Sequence, residues 1–404
     1  MRIIGNKYTV FLYLALMFAA FNDIIRVGTG ITAFRIIQPL ILLLAILQSN
    51  KSRKLLTVYF ILIILNICQT LIFSKHNSIG ITFDLSSFIN YAYYYLCIVT
   101  VICAVIMIYE SNPDSFICDF KKFIMGLGWI DLMILLLHSF LRSFGFLTVA
   151  NINNYGASIA AIYPVFFIAF FTERTIHNLG FIILSIIALL LGDCKLSLIG
   201  IAISSMVVFY ELSKKGKTNK KHYGRIIFPI LILVILALIF YFVTKTDYGN
   251  NLLLQIQISF DSIYNRRFLS TASSLGYRIN VIIVSIQWLF NTYFLGIGIG
   301  NYGILIRHEC PYLPIKWIEL GTVAPHNSPI EFLIEFGFPV LILYFLLIKR
   351  VLLLKKEPKT ENSVLYIAEF VSVWVWSLNP SRILTIYLIW IVLTYTILAT
   401  KDKV

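Results

Sequence analysis

Apolar and polar positions along this chain come in long blocks, and the apolar blocks have the length of bilayer crossings. They occupy roughly 8 to 25, 31 to 48, 55 to 73, 88 to 108, 123 to 141, 156 to 172, 179 to 192, 196 to 212, 226 to 244, 329 to 348, 364 to 379 and 383 to 400. Each is near the ~20 residues that a spanning helix requires. Backbone amides in hydrocarbon must bond within their own segment, so every block predicts a helix. The whole reads as an all-α, polytopic membrane protein of about twelve transmembrane helices. One polar interval is much longer than the rest. It divides the chain into a nine-helix bundle over 1–244, a long loop over 245–328 and a three-helix segment over 329–404. Composition points the same way, with 59% hydrophobic residues, 13% charged residues and a mean hydropathy of +0.87.

Charge then orients the helices. With the N-terminus on the inner side, about 21 of the 33 Lys and Arg residues fall inside, including the run from Lys214 to Arg225. Both termini are then cytoplasmic and the 245–328 loop lies outside. Treating 179–212 as a single crossing would send that basic run outward, so the two short blocks around Asp193-Cys194-Lys195 read as a hairpin. The net charge of +14 is accounted for mostly by inner loops facing anionic headgroups, and nucleic acid is not implied as a partner.

The N-terminal block ends in Phe-Asn-Asp-Ile without a small-residue cleavage site, so the first helix is expected to remain. The six Cys and six His show no zinc-ligand spacing, and no Asp-x-Asp pair is present to hold Mg²⁺ against a nucleotide diphosphate. A metal site and a cofactor are therefore not expected.

The outer cations run against the topological bias and ask for another reason: Arg26, Arg35, Lys75, Arg142, Lys195, Lys245, Arg266, Arg267, Arg278, Arg307, Lys316 and Arg382. In the long loop, Ile279 to Asn291 is mostly apolar, with Asn280, Gln287 and Asn291 on one stripe. This predicts a helix in or near the interface, started by Arg278. Gly296-Ile-Gly-Ile-Gly300 trails that helix and opens no βαβ unit, so it reads as a flexible turn and not a dinucleotide fingerprint. The loop closes on Pro325-His326-Asn327-Ser328-Pro329, followed by Glu331 and Glu335 on one helical face. Ser328 and Glu331 form a capping-box pattern and Pro329 suits the first turn, so His326 lies beside a helix N-terminus, where anions are attracted.

In these features the chain resembles the O-antigen polymerase and O-antigen ligase superfamily of bacterial envelope glycan assembly. The resemblance rests on Ser274-Leu-Gly-Tyr-Arg278 leading into a helix with Trp288, then Gly296 to Asn301, then Pro325-His326-Asn327 and Glu335-Phe-Gly337, in that order within one outer loop. It extends to Asn153-Asn154 and to the turn Gly192-Asp-Cys-Lys-Leu-Ser197, where many relatives carry a Ser-Arg or Ser-Lys pair. The resemblance implies a C-type glycosyltransferase-like fold in the bacterial inner membrane, working on the periplasmic face without metal. Its substrates would be undecaprenyl-diphosphate-linked glycans, O-antigen or capsular. A chain-length regulator and a flippase of the same pathway would be its protein partners, with membrane lipids around it.

The chemistry required fits the residues. A departing diphosphate is rich in negative charge, which fixed cations can stabilise. In this reading His326 is the general base, or a hydrogen-bond acceptor that orients the acceptor hydroxyl, and Asn327 orients it or a sugar. Arg278 is the family-matched cation for the diphosphate, followed by Arg142, Lys195, Arg267, Arg35 and Arg382, which are placed by topology alone. Blander roles stand beside these. Arg278 also suits an interfacial anchor, Arg35 and Arg142 suit helix-end anchors, and Lys195 suits a pair with Asp193. Asp131, mid-span, must meet a partner or water, and Glu335 is placed to neutralise an arginine. Polymerase is the first reading and ligase the second. A lipid-linked oligosaccharide transporter is a distant third, since the two halves of the chain do not resemble each other.

Overall fold

The computed structural model describes residues 2–22, 24, 32–76, 84–143, 152–192, 194–213, 254, 257, 274–309, 328–356, 360–377 and 386–400. The described helices are α1 (Arg2–Ala20), α2 (Ala33–Gln48), α3 (Asn50–His76), α4 (Leu85–Ser111), α5 (Pro113–Ser143), α6 (Ile152–Glu173) and α7 (Ile176–Leu191). They continue with α8 (Lys195–Ser213), α9 (Ser274–Asn291), α10 (Tyr302–Glu309), α11 (Ser328–Phe336), α12 (Phe338–Lys356), α13 (Glu361–Trp376) and α14 (Tyr387–Leu398). No strand occurs among the described residues. By length and composition α3, α4, α5, α6 and α8 can each cross a bilayer, and shorter apolar stretches lie in α1, α2, α7, α9 and α14.

The predicted spans fall largely on these helices, except for 226–244, which lies outside the described residues. The predicted hairpin is present. Gly192 donates its amide to Ala188 (2.8 Å) and Cys194 to Leu189 (2.9 Å), closing α7 before α8 begins. Phe181 of α7 stacks on Phe166 of α6 with ring centroids 3.6 Å apart, and Trp129 of α5 meets Phe181 edge-on at 5.4 Å. The predicted single span over 329–348 is instead broken in two. Gly337, at φ +65°, ends α11 in the left-handed conformation that glycine adopts at helix C-termini, and α12 starts immediately after it.

The bundle is centred on α6, where every residue from Tyr155 to Phe166 is buried. Ala157, Ala160 and Ala161 have no exposed surface, and small residues of this kind let α5, α7, α8, α13 and α14 approach closely. Gly200 does the same for α8, since a Cβ there would come within 2.8 Å of the Trp376 Cβ on α13. A second group of helices, α1, α2, α3 and α14, surrounds α4. Asp131 is buried in α5, and its expected pairing is not made at Oδ2 among the described residues.

α4 begins at a side-chain cap. Asp84 accepts from the Ser86 amide (3.0 Å) and the Ser87 hydroxyl (2.6 Å). These bonds, the Ser87 hydroxyl foremost, hold the Asp84 carboxyl below the usual carboxylate range. A lowered folded value means that the cap contributes stability above the unfolded carboxylate range and loses it as pH falls through the folded value. Asp84→Ala is therefore expected to lower the thermal midpoint in detergent at neutral pH, with the gap to the parent protein closing on acidification. A gap that stays constant down to the acid limit would refute this role.

Candidate functional site

Where α3 ends and α4 begins, the bundle carries a separate small core built from Phe73 of α3, Val284 and Leu289 of α9, Ile297, Leu305 of α10 and Ile334 of α11. This core packs α9, the helix bearing Arg278, against α11, the helix that follows His326. α9 begins at Ser274, so Arg278 sits one turn inside the helix rather than at its start. α11 begins at Ser328, in agreement with the expected helix start.

The glycine segment joins these helices by docking onto the end of α11. Ile297 donates its amide to the Ile334 carbonyl (2.8 Å) and Gly298 to the Glu335 carbonyl (3.1 Å), while Phe338 donates back to Phe294 (2.8 Å). Two amide side chains of α3 reach in from the side. Asn66 Oδ1 accepts from the Ile299 amide (2.6 Å), and its Nδ2 donates to the Glu335 carbonyl (3.0 Å). Gln69 Nε2 donates to the carbonyls of Leu295 and Phe336.

A buried carboxylate completes the latch. Glu335 has no exposed surface; its Oε1 accepts from the Gly300 amide (3.1 Å) and its Oε2 from the Tyr95 hydroxyl on α4 (2.7 Å). The Tyr95 ring lies between Phe332 (5.7 Å) and Phe336 (5.0 Å), and Phe332 meets Trp390 of α14 at 5.8 Å. Glu335 was expected to neutralise an arginine. Its described partners are a phenol and a main-chain amide. Glu331, one turn earlier on the same face, is also fully buried.

The glycines are packed, contrary to the flexible turn expected. Gly296, Gly298 and Gly300 have φ of +83°, +87° and +83°, a region open to glycine at little steric cost. A Cβ on Gly298 would collide with the Thr70 side chain, and one on Gly296 would lie 2.8 Å from the Gly337 nitrogen. Tyr293 and Phe294 just ahead also adopt positive φ, +51° and +60°. That is strained for aromatic residues and persists only where the surroundings fix it.

The docking also decides what the segment can bind. The amides of 297 to 301 go to Ile334, Glu335, Asn66, the Glu335 carboxylate and the Gly298 carbonyl respectively. With every donor engaged by protein, this segment is not an anion-binding nest. Beside it lies a cavity of about 570 Å³, lined by Gln69, Phe73, Trp288, Asn291, Tyr293 and Gly296 among others.

Of the residues singled out from sequence, His326, Asn327, Arg267 and Arg382 lie outside the described residues. Arg278, Arg142 and Lys195 have described backbone, in the second turn of α9, the last turn of α5 and the first position of α8, but their side chains lie outside the description. Cys194, beside Lys195, places its Sγ 3.8 Å from the Ile152 carbonyl and 3.9 Å from Asn153 Oδ1, so the Asn153 and Gly192-to-Ser197 motifs meet. Arg35 is described in full. Its guanidinium lies over the Tyr93 ring, 5.4 Å from the centroid, and Tyr93 donates to Gln38 Oε1 (2.9 Å). Tyr93 and Tyr95 project ~160° apart around α4, so Arg35 and the Glu335 latch lie on different sides of that helix.

Sequence reasoning missed Asn66, Gln69 and Tyr95. A signal for two of them was present, since amide side chains three residues apart in an otherwise apolar span demand partners.

Residues 180–345 match the model of a family described as O-antigen ligase. The match takes in Lys195, Arg267, Arg278, His326 and Asn327 and excludes Arg35, Arg142 and Arg382. A search of curated proteins finds no match to the chain.

Proposed function

We propose that this chain, which its 180–345 segment places in the O-antigen polymerase and ligase superfamily, is a lipid-linked polysaccharide polymerase. It transfers a glycan from undecaprenyl diphosphate onto an undecaprenyl-diphosphate-linked repeat unit, on the periplasmic face and without metal. The observation that carries the reading is that one family match runs through both α9 and α11, and that these two helices pack on each other. Both termini are then cytoplasmic, and residues 245–328 form the periplasmic loop.

In the reaction an acceptor hydroxyl attacks the anomeric carbon, the bond from that carbon to the diphosphate oxygen breaks, and His326 takes the hydroxyl proton. The lipid diphosphate leaves with its charge held by Arg278, supported by Lys195 and Arg267 within the matched segment. Arg142, Arg35 and Arg382 take lesser places, Arg35 as a helix anchor seated on Tyr93. Since the amides of 297 to 301 are engaged by protein, side-chain cations carry the phosphate contacts in this reading.

The test is consumption of a lipid-linked oligosaccharide by the purified protein in detergent. Product extended on lipid diphosphate supports the polymerase, and glycan moved to a lipid A core makes the protein a ligase. Arg278→Ala is expected to lower the rate by about a hundredfold, and Arg278→Lys to recover only part of it, because lysine cannot reproduce the bidentate fork. No turnover in detergent, with substrate movement across sealed vesicles, would make the protein a transporter.

A further inference from the structure

The two helices on which the proposed chemistry depends are joined beyond their C-terminal ends, remote from Arg278 on α9. At that junction a strained turn, three left-handed glycines and Gly337 interlock. A strained turn is kept in place only by contacts that over-determine it. Those contacts come from side chains that the proposed chemistry leaves unused: Asn66, Gln69, Tyr95 and Glu335. Among them Glu335 alone belongs to α11 and at once bonds the glycine segment, through Gly300, and α4, through Tyr95. It is fully buried, and each of its oxygens accepts from a group on another element, the Gly300 amide and the Tyr95 hydroxyl.

We propose that Glu335 is a positioning residue: by bonding the Gly300 amide and the Tyr95 hydroxyl together it fixes α9, which bears Arg278, relative to α11, the helix on which the proposed chemistry also depends. The inference rests on the glycosyl-transfer reading above. Misplacement by about 1 Å at a reacting pair costs on the order of a hundredfold in rate, and the loss falls on kcat where the misplaced contact is one that strengthens in the transition state, as that of Arg278 to the departing diphosphate does. The role therefore has a signature that simple loss of fold lacks.

Two measurements test it, each on the full-length protein in detergent. In the first, Glu335→Ala is expected to lower kcat at least about tenfold while KM for the lipid-linked glycan changes less than about threefold. Glu335→Gln keeps one acceptor for Gly300 and an amide for the tyrosine oxygen, so it returns kcat to within about threefold of the parent. Tyr95→Phe removes a single hydroxyl and is expected to lower kcat by a smaller factor; it carries the test if the alanine variant does not accumulate.

In the second, nitroxide labels at Ile61 on α3 and Tyr293 at the tip of the turn, both exposed, report their separation in a background without native cysteines. A narrow distance distribution is expected, broadening in Glu335→Ala. A parent-like kcat with an unbroadened distribution overturns the proposal. So does a glutamine variant as impaired as alanine, since charge rather than hydrogen bonding would then be at work. Should the glycosyl-transfer reading itself fail, no variant turns over, yet the label distances still report on the latch.

Discussion

Gly337→Ala is expected to cost about 3 kcal/mol or more of stability, seen as a lower thermal midpoint in detergent and reduced abundance in the membrane. Two causes add. The φ of +65° is unfavourable for any residue with a Cβ. That Cβ would also press on the Phe294 carbonyl and come within 2.5 Å and 2.6 Å of the Leu295 carbonyl carbon and oxygen. These are backbone atoms of a turn already at φ +51° and +60°, fixed from below by the Phe338 amide, so retreat is closed off. Gly126→Ala is the matched control. It lies within α5 with nothing inside 4 Å of the added carbon, and it is expected to be neutral or slightly stabilising. Equal midpoints for the two variants would show that the latch is not the rigid element described.

His326→Ala is expected to lower the glycosyl-transfer rate by ~100- to 10,000-fold with normal abundance, the range associated with loss of a general base. In cells the corresponding result is loss of long-chain glycan. The pH profile separates this role from mere positioning. An imidazole base is active when neutral, so the parent rate is expected to fall on acidification, and the residual rate of the variant should lack that acid limb. Long-chain glycan at the parental level in a deletion strain carrying the variant would remove His326 from the mechanism.

Much of the architecture was legible because bilayer crossing imposes long apolar runs. The α7–α8 hairpin, only 16 and 19 residues per arm, was found by charge rather than hydropathy. The shared face of Glu331 and Glu335 followed from helical spacing, and both are buried as that spacing suggests. The break at Gly337 was not legible, since a lone glycine in an apolar run is tolerated in many helices. Gly296, Gly298 and Gly300 misled for a related reason. Glycine spacing signals access to positive φ but not whether neighbours clamp it, and here the clamps, Asn66 and Gln69, are 226 to 269 positions away from their partners.

Those separations also bear on how the protein is made. Membrane chains are inserted from the N-terminus, so α3 and α4 enter the lipid while the residues that will satisfy Asn66, Gln69 and Tyr95 are still untranslated. Until Phe336 emerges, the late partners of these side chains do not exist, and within α3 Asn66 donates to Gln69 Oε1 (3.2 Å). The latch can therefore close only after most of the chain has been made, and it ties early helices to late ones through contacts that a product ending before α11 cannot form.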